Sequence, residues 1–191
     1  RLSNEYSRCQ DQQLMHISSN DPLIGYRCFQ SKPYEKIDLI LIGDSHAEHI
    51  FPGLAKYLSA ANVASFIQPG IPTSNNPMFR EAFEIIEKTD SIKIVILSAL
   101  WESKIRPNQP SAGEDLTRTI DALTSSGKTV FLLEDIPAYT FDPQKCKYGR
   151  IFSTGYSKCT SSTMEITKQN LYSQSVLKRS EEHTSELQSQ P

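Results

Sequence analysis

Several absences narrow the field first. No apolar run in the 191 residues approaches the length that spans a bilayer, about 20 consecutive apolar residues for a helix. No charge of one sign accumulates, because 20 Lys and Arg stand against 22 Asp and Glu, a formal net charge of −2. A chain so balanced carries no basic footprint for nucleic acid or an anionic surface. No two of its four cysteines form a Cys-x-x-Cys, and no histidine stands beside them at metal-ligand spacing. There is neither an initiator Met nor a signal peptide, which predicts an internal fragment or a processed chain. Internal repeats and low-complexity tracts are also missing.

What is present is ordinary globular material. Hydrophobic residues make up 38% and charged residues 22%, enough apolar content for a core. The length suits one α/β domain. The cysteines are Cys9, Cys28, Cys146 and Cys159. Local pairing, Cys9 with Cys28 and Cys146 with Cys159, is the simplest of three connectivities, and both pairs bracket polar, loop-like sequence. Such staples imply an oxidising, extracytoplasmic compartment. Four reduced, buried cysteines in a cytosolic protein are the alternative.

The final stretch, RSEEHTSELQSQP (179–191), has almost no apolar content and no periodicity. Residues 179–189 also resemble one reading frame of a sequencing-library adapter. The expected domain is therefore residues 1–178, with 1–35 as a polar, irregular, disulfide-bearing segment and 179–191 as a non-native tail. His183 is excluded as a catalytic base on that reading.

Between these ends the pattern alternates. KIDLILIG (36–43), NVASFIQPG (62–70), IKIVILSAL (92–100) and KTVFLLEDIP (128–137) are short apolar runs of the buried-strand kind. Segments 46–60, 78–89, 113–127 and 162–178 are helical. In the first of these helices Ile50, Leu54, Tyr57 and Leu58 share a face, and Pro52-Gly53 predict a break or an irregular first turn. Gly127 is a helix stop. Four strand–helix units predict a three-layer α/β/α fold with a flavodoxin-like parallel sheet. In such sheets the working groups gather beyond the carboxyl ends of the strands.

Gly43-Asp44-Ser45-His46 stands at one such end. A serine there can attack a carbonyl, while backbone N–H groups at the helix start stabilise the oxyanion. A helix N-cap is an equally good reading of Ser45. Asp44 and His46 cannot complete a triad, because residues adjacent in a helix do not face each other. His49 could share the face of Ser45. His46 and His49 also form a weak two-ligand metal pattern, better read as solvated helix-start residues, so no metal and no cofactor are expected.

The stretch LIGDSHAEHIFPGL (41–54) resembles the first block of the SGNH hydrolase superfamily. It is closest to SGNH domains fused behind multi-spanning membrane acyltransferases that O-acylate bacterial surface polysaccharides. The upstream cysteine pair, ILSALW (96–101), and Pro137, Pro143 and Cys146 on a late loop extend the likeness over most of residues 9–178. The resemblance implies Ser45 as nucleophile, with the Ser45 and Gly70 N–H groups as oxyanion donors; Gly70 also reads as an ordinary turn glycine after Pro69. The family's third block carries an Asn, but Ser98-Ala99-Leu100-Trp101-Glu102 has none, so this block supplies no third donor. Asn75 or Asn76 would have to supply it from the loop, where Asn otherwise serves the turn. Asp44, His46, Asn75 and Trp101 are candidate pocket residues, with a core position as the alternative for Trp101. The family's acid and base lie in a late Asp-x-x-His, and no Asp-x-x-His occurs in this sequence. The last strand and catalytic loop are accordingly expected to be missing.

By the resemblance, the domain moves an acyl group through a serine ester onto a polysaccharide hydroxyl. Its expected partners are a fused integral-membrane acyltransferase and the polysaccharide acceptor, with no nucleic acid. Its expected place is the periplasm, tethered to the inner membrane by an N-terminal region. A secreted esterase or deacetylase, a non-catalytic carbohydrate-binding domain and a cytosolic flavodoxin-like module are the alternatives.

Overall fold

The computed structural model describes residues 2–19, 27–106, 111–134, 141, 146 and 159–188. Its described strands are β1 (Ser7–Arg8), β2 (Cys28–Gln30), β3 (Leu39–Gly43), β4 (Val63–Ile67), β5 (Ile94–Ser98) and β6 (Thr129–Leu133). They form one sheet in the order β1-β2-β4-β3-β5-β6. The helices are α1 (Gln12–Ser19), α2 (Ser45–Tyr57), α3 (Pro77–Lys88), the single turn α4 (Trp101–Lys104), α5 (Ser111–Ser125) and α6 (Thr163–Gln188).

The four strands predicted from apolar runs are the four parallel ones. Their register aligns Gly43 with Ile67 and with Ser98, and Ser98 with Leu133, so their carboxyl ends finish level. All five residues of β3 and of β4 are buried, because helices cover both faces of the sheet. Leu39 and Leu41 of β3 pack with Ala47, Phe51 and Ala55 of α2. Ile40 and Ile42 point the other way, into a larger cluster with Phe79, Phe83 and Ile86 of α3, Leu116 and Ile120 of α5, and Leu177 of α6. The result is the expected three-layer α/β/α arrangement.

Three expectations need correction. Residues 1–35 are not irregular throughout. β1 and β2 extend the sheet, each pairing antiparallel, so the sheet is mixed rather than wholly parallel. α1 seats Leu14 in the core, and Cys9 bonds to Cys28, both buried, which ties this segment to the sheet. Second, α2 runs unbroken through Pro52. Proline there removes one N–H bond, to the Glu48 carbonyl, but burial of Phe51 and Ala55 on either side outweighs it. Third, the buried face of α2 is Ala47, Phe51 and Ala55; Ile50, Leu54 and Leu58 flank it, and Tyr57 is exposed. The helical period holds, with the buried face rotated toward the smaller side chains Ala47 and Ala55.

One helix end follows the predicted chemistry, and a second shows a cap at a residue expected in the preceding loop. α5 ends at Ser125, and Gly127 adopts φ +80°, the left-handed conformation that stops a helix at little cost. α3 begins with Asn76, whose side chain accepts the Met78 N–H at 3.1 Å, and Pro77 occupies the first helical position.

Candidate active site

The carboxyl edge of the sheet is built on a close approach of two strands. A Cβ on Gly43 would stand 1.6 Å from the Ser98 carbonyl oxygen and 2.9 Å from Cβ of Ala47. Only glycine lets β3 lie against β5 while α2 turns back over the sheet. The Gly43 carbonyl accepts the Gln68 N–H at 2.9 Å, which binds the end of β4 to the same turn.

Asp44 then caps α2. Its Oδ1 accepts the His46 N–H at 2.9 Å. This corrects one reading of Ser45, which is not the N-cap but the first residue of the helix. Oδ2 of Asp44 accepts the Leu100 N–H at 3.1 Å and pairs with the ammonium of Lys104. The carboxylate is buried and joins the nucleophile turn to the turn after β5. With both oxygens engaged and a neighbouring position in the chain, Asp44 is a structural brace of the turn.

Ser45 is exposed on top of this brace. It sits at the amino end of a 13-residue helix, where the helix dipole favours negative charge. Gly70, three residues past the end of β4 on the same edge, has φ +110°. A Cβ there would lie 2.6 Å from Nδ2 of Asn76, which donates to the Ile71 carbonyl at 2.9 Å. The N–H groups of Ser45 and Gly70 have no partner among the described residues. An oxyanion donor needs that freedom.

The other candidates separate. His46 is half-buried and His49 exposed, their ring centroids 6.5 Å apart. Glu48 between them pairs with Arg27. Trp101 is fully buried, and its indole N–H donates to the Leu133 carbonyl at 2.8 Å. The structure thus places Trp101 in the core, pinning α4 to β6, and not on a pocket wall. Asn75 is exposed, and its Nδ2 donates to Oδ2 of Asp115 on α5 at 3.2 Å. Asn76 is spent on the α3 cap and on Ile71. Of the late loop, the second disulfide is described, Cys146 with Cys159; Pro137 and Pro143 lie outside the described residues. Both cysteine pairs follow the local connectivity and fit an oxidising compartment.

Lys104 was not foreseen. A lysine three residues beyond Trp101 reads as an exposed residue of a short turn. Only the folded arrangement brings it to Asp44, 60 residues away in the chain.

An α/β/α domain whose first parallel strand ends in Gly-Asp-Ser-His at the head of a helix has SGNH-type architecture. The chain matches the family model described as "SGNH domain (fused to AT3 domains)" over residues 8–188, and it belongs to that family. It is therefore the acyltransferase-fused type of SGNH domain, a type that points to acyl-transfer or esterase-like chemistry. Comparison with curated proteins and with solved structures gives no match.

Proposed function

We propose that this domain transfers an acyl group, through an ester on Ser45, to a hydroxyl of a cell-surface polysaccharide. The observation that carries the reading is the exposed Ser45 at the start of α2, with Asp44 locked into the turn beneath it. Ser45 Oγ would attack the acyl carbonyl, passing its proton to a general base. The N–H groups of Ser45 and Gly70 would hold the oxyanion. Its collapse would expel the donor's leaving group, and the acceptor hydroxyl would then attack the ester. The family supports a fused membrane acyltransferase as the source of the acyl group. The disulfides support an extracytoplasmic site of action, with the membrane domain as its tether. Hydrolysis to water is the second reading, favoured by the exposure of Ser45.

The test uses the full-length gene product with an aryl acetate. Ser45→Ala is expected to cut acetate release by about 10⁶-fold, the scale of removing a serine nucleophile while the oxyanion hole remains. Unchanged activity in Ser45→Ala would remove Ser45 from the role and favour a non-catalytic carbohydrate-binding domain. Added saccharide that captures the acetyl group supports transfer over hydrolysis.

A further inference from the structure

One cleft at the carboxyl edge has no part in the steps above. It lies between the loop that follows Gly70 and the first turn of α5, and encloses about 300 Å³. Ile71, Thr73, Asn75, Asn76, Ser111 and Asp115 line it. We propose that this cleft is the acceptor subsite and that it binds a sugar ring through adjacent hydroxyls. The proposal rests on the acyl-transfer reading and adds the place where the acceptor sits.

Position argues for it first. The cleft opens one residue beyond Gly70, and Asn76 touches both: its amide is packed against Gly70 and is part of the wall. A sugar held there lies beside the proposed oxyanion donor.

Chemistry argues for it second. The wall offers side-chain amides, a carboxylate and hydroxyls, and no aromatic ring. Adjacent sugar hydroxyls each donate and accept, so they need a mixed set of this kind. A carboxylate that already receives Asn75 Nδ2 keeps lone pairs for sugar hydroxyls. Arg118 pairs with the same carboxylate, which offsets its charge and suits an uncharged ligand. Ile71 and Ala112 add apolar surface beside these groups, which suits the C–H face of a sugar ring.

The third argument is rigidity. The loop is fastened before any ligand arrives. The Ser74 N–H donates to Thr119 Oγ1 at 2.8 Å, and the two hydroxyls lie 3.1 Å apart. The Thr73 N–H donates to the Ile71 carbonyl at 2.9 Å, and Asn76 Nδ2 donates to that same carbonyl. Asn75 reaches across to Asp115. A wall fixed on both sides loses little conformational entropy when a ligand binds.

The experiment follows the side-chain amide signals of Asn75 and Asn76 by ¹⁵N–¹H NMR in the 191-residue chain. Methyl α-D-glucopyranoside, methyl α-D-galactopyranoside and methyl N-acetyl-β-D-glucosaminide are titrated separately. At least one is expected to shift both amides saturably. Asp115→Ala is expected to weaken that binding at least tenfold, and the milder Asp115→Asn to weaken it less. Ser45→Ala is expected to bind as the parent does, so loss of the nucleophile reading and loss of the subsite are seen separately. No shift with any of the three sugars, or an unchanged affinity in a folded Asp115→Ala, overturns the proposal.

Discussion

Single residues make the nucleophile turn, and each acts through a different force. Gly43 acts by having no side chain: a Cβ at 1.6 Å from the Ser98 oxygen cannot be accommodated without moving β3 or β5. Gly43→Ala is therefore expected to cost more than about 3 kcal/mol, the upper end for overpacking, because the obstacle is backbone and not a side chain that can rotate. Thermal or urea unfolding checks it; a loss below about 1 kcal/mol would show that the two strands can separate locally. Asp44 acts by hydrogen bonding and charge, gathering the His46 and Leu100 N–H groups and the Lys104 ammonium around one buried carboxylate. The carboxylate is thereby desolvated yet fully partnered, which is the condition for burying a charge at all. Ser45 needs only to stand clear of this cluster, and its exposure shows that it does.

Elements then carry these residues to one place. β3 delivers Gly43 level with the ends of β4 and β5, and α2 begins at once, because Asp44 caps it. The sheet's opposite flank is held by a short antiparallel extension. β1 and β2 are only two and three residues long, too little ladder to be stable alone. The Cys9–Cys28 disulfide, whose partners are 19 positions apart in sequence, limits the freedom of that segment when unfolded. Its removal in a Cys9→Ser/Cys28→Ser variant is expected to cost about 3 kcal/mol. Both sulfurs are buried, so the two new hydroxyls add to the loss. Unfolding in urea, with and without the bond, measures it. An unchanged midpoint would mean that Leu14 and the β2–β4 ladder hold the segment unaided.

At the scale of the whole molecule, α6 closes the larger core layer. Leu177 is buried among the residues of that layer, and Val176 rests against Gly113 so closely that a Cβ on Gly113 would meet its Cγ1 at 2.9 Å. The helix continues to Gln188, and the family match also ends there. Composition nevertheless motivates the proposal that residues 179–191 are a non-native tail. Among the described residues of this tail, Ser180 is buried, with its hydroxyl 3.2 Å from Thr117 Oγ1 on α5. A chain ending at Lys178 is expected to keep its stability to within about 1 kcal/mol, the worth of such a hydrogen bond. A loss of several kcal/mol in thermal unfolding would return the segment to the domain.

The apolar runs LILIG, VASFI, IVILS and TVFLL, each too short for a core helix and each followed by a helical segment, by themselves determined four parallel strands. Periodicity likewise marked the four longer helices, and Gly127 one of their ends, since a glycine stop is local chemistry. Local cysteine spacing offered both disulfides as the simplest of three pairings, and the fold selected it. The strand-end serine could be picked out, but its setting could not. Whether Ser45 or Asp44 capped α2, which way Trp101 faced, and which face of α2 was buried were left to packing. β1, β2 and α1 escaped notice because strands of two or three residues and an eight-residue helix carry too little pattern to read. The partners of the site were beyond reach for a simpler reason. Lys104 meets Asp44 across 60 residues, and Asn75 meets Asp115 across 40. Contacts of that span leave no mark in a local pattern, and only the closing of the sheet and the stacking of helices on it decide them.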